Sequence, residues 1–288
     1  RDTCPYYANL PSLDLSPLLS EPLLYSEIME FCEENMACPY FVERMLLEYA
    51  DVISLNYNYI ISEDFSWSIR RLVPYESSFL VVDEAHNLQA ACSNINSTAI
   101  TLRGLDYALQ ELRLLKTYDD NAEKLIETLR STLLQFLKTM NSDEEEFDMK
   151  NFLNSILLRY PNLIPILKHI QNCGNRIRKM KVNLGKPPRS SLSHLSEFLF
   201  STLQKVGTKG VVFIATKKHD NLSLQLWDMR VTETRRERWN LFASCIFCSG
   251  TLNPIDAFTD TIGLQNYKTK DLPFPLKTEN IQTFILKG

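Results

Sequence analysis

The sequence predicts an α/β fold in which a mainly helical block interrupts a parallel-sheet domain. Three observations carry this. Phe79–Val82 is an apolar run that ends in two adjacent carboxylates, Asp83 and Glu84, as a buried parallel strand does when it delivers side chains to a ligand crevice. Ser244–Cys248 is a second short apolar run, and it leads into Ser249-Gly250-Thr251-Leu252. Between them, from about Asn94 to Gln204, apolar residues recur at helical spacing, as at Leu102, Leu105, Leu109 and Leu112, and again at Leu125, Leu129, Leu133 and Phe136. Strand pieces, about a hundred helical residues and strand pieces again describe an insertion into one sheet domain.

In chain order, residues 1–49 are rich in Pro, Glu, Tyr and Cys, with short helices predicted over Tyr25–Glu34 and Pro39–Tyr49. Ala50–Leu55 reads as a strand, Asn56–Ile61 as a turn into a helix, and Phe79–Val82 as the next strand. Asn141–Asp148 is an acidic stretch read as a solvated loop, and Lys186-Pro187-Pro188-Arg189 is a break. Val211–Ala215 and Leu222–Trp227 are β-like, Arg235–Asn240 is helical, Ser244–Cys248 is a strand, and Phe284–Leu286 begins another.

The 288 residues allow two or three domains, and 44% hydrophobic residues allow a sizeable core. A net charge of -4 argues against polyanion binding by bulk charge, but not against a local basic groove. No apolar run approaches the length of a membrane span, so no membrane partner is expected. The chain opens Arg1-Asp2-Thr3-Cys4, without an initiator Met or an apolar leader segment, and reads as part of something longer. Seven scattered cysteines do not form a secreted disulfide framework and point to a reducing compartment.

Several groups of residues carry chemistry. At a strand end, one carboxylate of Asp83–Glu84 can hold Mg²⁺ through water while the other orients or deprotonates an attacking water. His86, one turn on, can link such a site to a second one. Ser249 and Thr251 flank a glycine at the end of the other apolar run. They read either as an ordinary turn or as hydrogen-bond donors to a neighbouring carboxylate or to His86. A nucleotide motor also needs a phosphate cradle of the pattern Gly, four residues, Gly-Lys-Ser/Thr. The one Gly-Lys pair, Gly185-Lys186, is followed by Pro187 and has Met180 where the first glycine belongs. The chain alone is therefore expected not to hydrolyse ATP.

Cys4-Pro5-Tyr6-Tyr7 and Cys38-Pro39-Tyr40-Phe41 are near-copies, a context that favours metal ligation by Cys4 and Cys38 over simple burial. Two thiolates cannot complete a zinc or iron–sulfur site. Cys32 is a possible third ligand, whereas His86, His169, His194 and His219 are poorly placed to join a zinc site. Cys92, Cys173, Cys245 and Cys248 read as small buried hydrophobes. Arg176, Arg178, Lys179, Lys181, Lys186 and Arg189 form an acid-free basic run, either a solvated face or a phosphate-binding groove. Tyr6, Tyr7, Tyr40 and Phe41 either stack on bases or pack as a local core.

These residues together resemble the XPD-type (Rad3-like) superfamily 2 iron–sulfur DNA helicases. Cys4-Pro5-Tyr6-Tyr7 and Ala37–Arg44 are similar to the family's third and fourth cluster cysteines with their following helix. Ala50–Ile61 is similar to the strand and turn leading back into the first motor domain. Val82–Leu88 matches its DEAH-type Walker B motif, and Cys248–Pro254 matches motif III. Leu272-Pro273-Phe274-Pro275 with Glu279-Asn280 resembles the crossing into the second motor domain.

The resemblance implies an α/β fold: part of a RecA-like parallel-sheet motor domain with an inserted, mainly helical Arch domain and part of an iron–sulfur cluster domain. The implied boundaries are 1–49 for the cluster domain, 50–93 and 231–268 for motor domain 1, 94–230 for the Arch, and 269–288 for the start of motor domain 2. It implies 5′→3′ translocation on single-stranded DNA driven by ATP and Mg²⁺. Asp83 takes the Mg²⁺ role, Glu84 activates water, and His86, Ser249 and Thr251 couple. Cys4 and Cys38 supply two of the four ligands of a [4Fe–4S] cluster. Arg176, Arg178, Lys179, Lys181, Tyr6 and Tyr40 are candidate DNA contacts. Implied partners are single-stranded DNA, duplex–single-strand junctions and repair-complex proteins. The Arch-like block is short, which fits archaeal, cytoplasmic members better than the longer eukaryotic, nuclear ones. The alternative is a non-catalytic module that binds single-stranded DNA or docks a partner.

Overall fold

The structure, a computed structural model, describes residues 4–115, 120–219 and 221–273. The N-terminal part holds α1 (Pro5–Ala8), α2 (Tyr25–Glu34) and α3 (Pro39–Leu46), followed by α4 (Asn58–Ile61) and α5 (Glu63–Arg70). Then come β1 (Phe79–Val82), α6 (Leu88–Asn96), β2 (Thr98–Thr101), α7 (Leu102–Leu114), α8 (Asp120–Thr139), β3 (Glu144–Glu146) and α9 (Met149–Arg159). The chain continues through α10 (Leu163–Asn183), α11 (Ser191–Lys205), β4 (Val211–Lys218), β5 (Asn221–Asp228), α12 (Val231–Trp239), β6 (Ser244–Phe247) and α13 (Ile255–Ile262).

Two sheets organise these elements. β1 and β6 pair in parallel, Phe79 opposite Ser244 and Val82 opposite Phe247. The second sheet is antiparallel, in the order β2-β5-β4-β3. The parallel pair is thus assembled from segments on either side of a self-contained α/β block, as an insertion requires. Among the described residues, most buried apolar side chains fall into three clusters. One, around Val42 and Cys32, belongs to the N-terminal helices. A second joins Val82, Leu88, Cys92, Val231, Trp239 and Ile262 beneath the parallel pair. The third and largest lies within the insertion.

Inside the insertion, period-2 alternation places Leu222, Leu224 and Leu226 of β5 on the buried face, against the apolar stripes of α7, α8, α10 and α11. Thr101 caps α7, its hydroxyl accepting from the Gly104 N–H at 2.9 Å. α10 and α11 approach so closely at Gly174 that a Cβ there would lie 2.4 Å from Ser193 Oγ and 2.5 Å from its nitrogen. Gly174→Ala is therefore expected to destabilise the chain by about 2 kcal/mol, as overpacking does. A shifted urea midpoint at unchanged slope is the measurement.

The structure corrects several expectations. Ala50–Leu55 pairs with no strand among the described residues, and Val52 is 89% exposed. The acidic stretch is not merely a solvated loop, because Glu144–Glu146 pairs main chain to main chain with Ile214–Thr216. The poor strand propensity of glutamate hid it. β2 is a strand inside the block expected to be helical; at four residues between two helices it is too short for its alternation to stand out. β1 is not covered on both faces: Val82 is buried, but Phe79 is 74% exposed and Val81 60%. The segment 269–288, which the resemblance implies to start motor domain 2 and which includes Glu279-Asn280 and Phe284–Leu286, lies outside the described residues from position 274 onward.

Candidate active site

The acidic pair stands where β1 stops. Pairing with the β6 segment continues past the strand end, since the Cys248 N–H donates to Val82 O at 2.9 Å and the Ala85 N–H donates to Cys248 O at 3.0 Å. These two bonds bring Ser249 alongside Glu84. Ser249 Oγ lies 2.8 Å from His86 Nδ1 and donates to Glu84 Oε2 at 3.3 Å, while His86 Nδ1 is 3.2 Å from the same carboxylate oxygen. With Glu84 ionised, a proton on Nδ1 satisfies all three groups, since imidazole N–H and serine O–H then both donate. Thr251 enters through its backbone, its N–H donating to Ser249 Oγ at 3.3 Å. The structure therefore brings Asp83, Glu84, His86, Ser249 and Thr251 together at the ends of two parallel strands.

Backbone geometry aims the carboxylates. Glu84 has φ 48° and ψ 42°, the left-handed conformation, which costs a residue with a Cβ roughly 1–2 kcal/mol. Asp83 Oδ1 accepts from the Glu84 N–H at 2.9 Å and turns the Asp83 side chain toward the turn. Both carboxylates are exposed, so a hydrated divalent cation can reach them without shedding its water.

Two neighbours escaped the sequence reading. Tyr57 donates its hydroxyl to Asp83 O at 2.5 Å and to Glu84 O at 3.0 Å. Burial, and then the nearby Asp83, Glu84 and Cys248, push its phenol above the usual range and keep it a donor. Cys248, read as a buried hydrophobe, is exposed, and its Sγ lies 3.8 Å from Asp83 Oδ1. Burial and the two acids push that thiol up as well.

Cys4 and Cys38 sit at corresponding positions, each the N-cap of a helix whose first residue is proline. The Cys38 N–H donates to Tyr6 O at 3.1 Å and sets the two turns side by side. Cys4 is exposed, Cys38 half-buried and Cys32 buried. Burial raises the Cys32 thiol first, then nearby Cys38 and Glu43. Among the described residues no group of three or more His, Cys, Asp or Glu side chains is arranged to hold a metal ion. The repeated aromatics divide their work: Tyr7 packs edge-on against Phe41 at 4.8 Å, whereas Tyr6 and Tyr40 are each 51% exposed. Arg44 stands 5.7 Å from the centre of the Tyr40 ring.

The basic run lies at the end of α10. Arg178 Nε donates to Pro188 O at 3.2 Å, and Lys181 Nζ donates to Glu111 at 3.0 Å and to Arg189 O at 2.6 Å. These two cations fold the proline-containing connection back onto the helices. Arg176 and Lys179 are exposed on the same helix.

Comparisons with known proteins find relatives among DNA helicases. The DEAD_2 family model matches residues 1–105. The chain is 25% identical over 255 residues to the general transcription and DNA repair factor IIH helicase subunit XPD/RAD3 of Saccharomyces cerevisiae, covering 81% of this chain and 31% of that protein. It is 24% identical to the ATP-dependent DNA helicase CHL1 of Saccharomyces cerevisiae, over 99% of this chain and 37% of that one. With a regulator of telomere elongation helicase 1 homolog of Caenorhabditis elegans it shares 28% identity, over 65% and 18% of the two chains. A solved structure titled XPD_Helicase superposes with a TM-score of 0.56 at 17% identity, covering 83% of this chain and 39% of that one, which supports the fold. The chain spans about a third of the length of the first two of these relatives. The chain is thus similar in sequence to DNA helicases of the XPD/RAD3, CHL1 and telomere-elongation-regulator types, and similar in fold to a solved XPD helicase.

Proposed function

We propose that this chain is the part of an ATP-dependent 5′→3′ DNA helicase that carries the acidic half of the nucleotide site, the Arch insertion and two of the four ligands of a [4Fe–4S] cluster. The observation that carries the reading is the joining of Asp83, Glu84, His86 and Ser249 across the ends of two parallel strands 165 positions apart. In this reading Asp83 takes the hydrated Mg²⁺ and Glu84 orients and deprotonates the attacking water. Ser249 and His86 hold Glu84 and pass a change in its charge to the β6 segment. No phosphate cradle occurs in these residues, so a separate segment supplies it. Cys4 and Cys38 would hold the cluster from the two adjacent Cys-Pro-aromatic turns. Tyr6 and Tyr40 beside them are on the surface, as base-stacking faces require.

The test uses the full-length protein and a duplex with a 5′ single-stranded tail. ATP-dependent unwinding, stimulated by single-stranded DNA and accompanied by visible absorption and bound iron, is the expected result. Cys38→Ser should lose the iron and the colour together with unwinding. Absence of DNA-stimulated ATP hydrolysis would sink the motor reading, and unwinding by a colourless Cys38→Ser variant would sink the cluster assignment.

A further inference from the structure

We propose that Tyr57 is a positioning residue that locks the Glu84 main chain in the conformation aiming its carboxylate at Ser249 and His86. This rests on the acidic pair being the water-activating site proposed above. Three observations carry it. The Tyr57 ring is packed against the cluster that contains Val82 and Leu88, so its hydroxyl is delivered from a fixed point. The hydroxyl then bridges two consecutive carbonyls, Asp83 O at 2.5 Å and Glu84 O at 3.0 Å. Between those carbonyls lies the left-handed Glu84.

The Glu84–Ala85 peptide is consequently gripped at both ends. Its carbonyl is held by Tyr57 and its N–H by Cys248 O at 3.0 Å. For Glu84 to relax into the ordinary right-handed region, one of its flanking peptides must rotate. Rotation of the first takes Asp83 O away from the phenol, and rotation of the second breaks the Tyr57 and Cys248 bonds together. Without Tyr57, the first peptide keeps only the local bond from the Glu84 N–H to Asp83 Oδ1 at 2.9 Å, which can turn with the Asp83 side chain and does not anchor it to the rest of the fold. Tyr57 is therefore the group that makes the strained backbone the preferred one, as strained functional sites require of their surroundings. Both carbonyls belong to exposed residues, so water replaces the lost bond when the hydroxyl is removed and the fold is little affected.

The test is Tyr57→Phe in the full-length protein, beside Glu84→Gln and the double variant. Loss of the hydroxyl is expected to lower kcat for ATP hydrolysis by about tenfold, the size of one misplaced hydrogen bond. KM for ATP and the melting temperature should stay at wild-type values. Because Tyr57 acts through Glu84, adding Tyr57→Phe to Glu84→Gln should cost nothing further. Unchanged kcat in Tyr57→Phe beside a crippled Glu84→Gln would overturn the Tyr57 role alone. So would losses that multiply in the double variant, or a loss that tracks a lowered melting temperature. Wild-type turnover by Glu84→Gln would overturn the acidic-pair reading and the Tyr57 role with it.

Discussion

Glu84→Gln in the full-length protein is expected to lower ATP turnover by about 10²- to 10⁴-fold, the usual contribution of a positioned general base, while ATP still binds. The amide keeps the size and polarity of the carboxylate but cannot take a proton from water. It also preserves an acceptor for Ser249 Oγ, which lies 3.3 Å from Glu84 Oε2, so the local packing survives. The loss should appear in kcat with KM little changed, the pattern of an interaction made in the transition state. Steady-state hydrolysis with saturating single-stranded DNA, together with nucleotide binding measured separately, checks it. An equal fall in binding would mean that Glu84 serves the ground state and that another group activates water.

Asp228→Ala is expected to cost about 3 kcal/mol of folding stability, at the lower end for breaking a buried ion pair. Asp228 is fully buried, and its carboxylate takes a two-pronged bond from Arg230 at 2.8 and 2.7 Å and an ion pair with Lys205 Nζ at 3.0 Å. Its own N–H donates to Ser97 Oγ at 3.1 Å, and Lys205 Nζ also donates to Asn96 O at 2.8 Å. The carboxylate therefore clasps the neck of the insertion, where the chain leaves α6 and returns after β5. Arg230 and Lys205 keep some contact with solvent, which is why the lower end is expected.

Burial by itself raises the Asp228 carboxyl, but the hydrogen bonds from Arg230 and Lys205 outweigh it and bring it down to about 2 from 3.8. A depressed carboxylate stabilises the fold above its unfolded value and loses that contribution as pH falls. The clasp is thus fully present above about pH 4 and is lost progressively toward pH 2, amounting to about 2 kcal/mol. Denaturant midpoints measured across that range should fall in the wild type more steeply than in Asp228→Ala. Parallel curves would show that the neck is held by something else.

The features legible in the sequence are those whose partners lie nearby along the chain. The acidic pair, the helical stripes around Leu105 and Leu129, and the paired cysteine turns each announce themselves within about a dozen residues. The Ser249 turn is legible as a candidate partner of His86, but residue spacing alone does not choose that reading over an ordinary turn, because the two lie 163 positions apart. Tyr57 gave no signal beyond its place in an Asn-Tyr-Asn-Tyr run, since one hydroxyl bonding to backbone leaves no pattern of residue types. Asp228 was open to discovery. The alternation Leu222, Leu224, Leu226 puts position 228 on the buried face, where an acid demands cations. For the basic run, composition shows charge but not that Arg178 and Lys181 also hold the connection after α10.

The pairing of Phe79 with Ser244 also sets an order of assembly. Closing a flexible loop of that length costs about 4–5 kcal/mol in chain entropy by logarithmic scaling. If the inserted block has already collapsed, with Ser97 and Asp228 in contact, the free chain left to close shrinks to about 35 residues and the cost to about 3 kcal/mol. The cheaper route has the insertion fold first and present its neck as a template. The strand ends that carry Glu84 and Ser249 then meet last, so damage at Asp228 should slow the pairing of two segments it never touches.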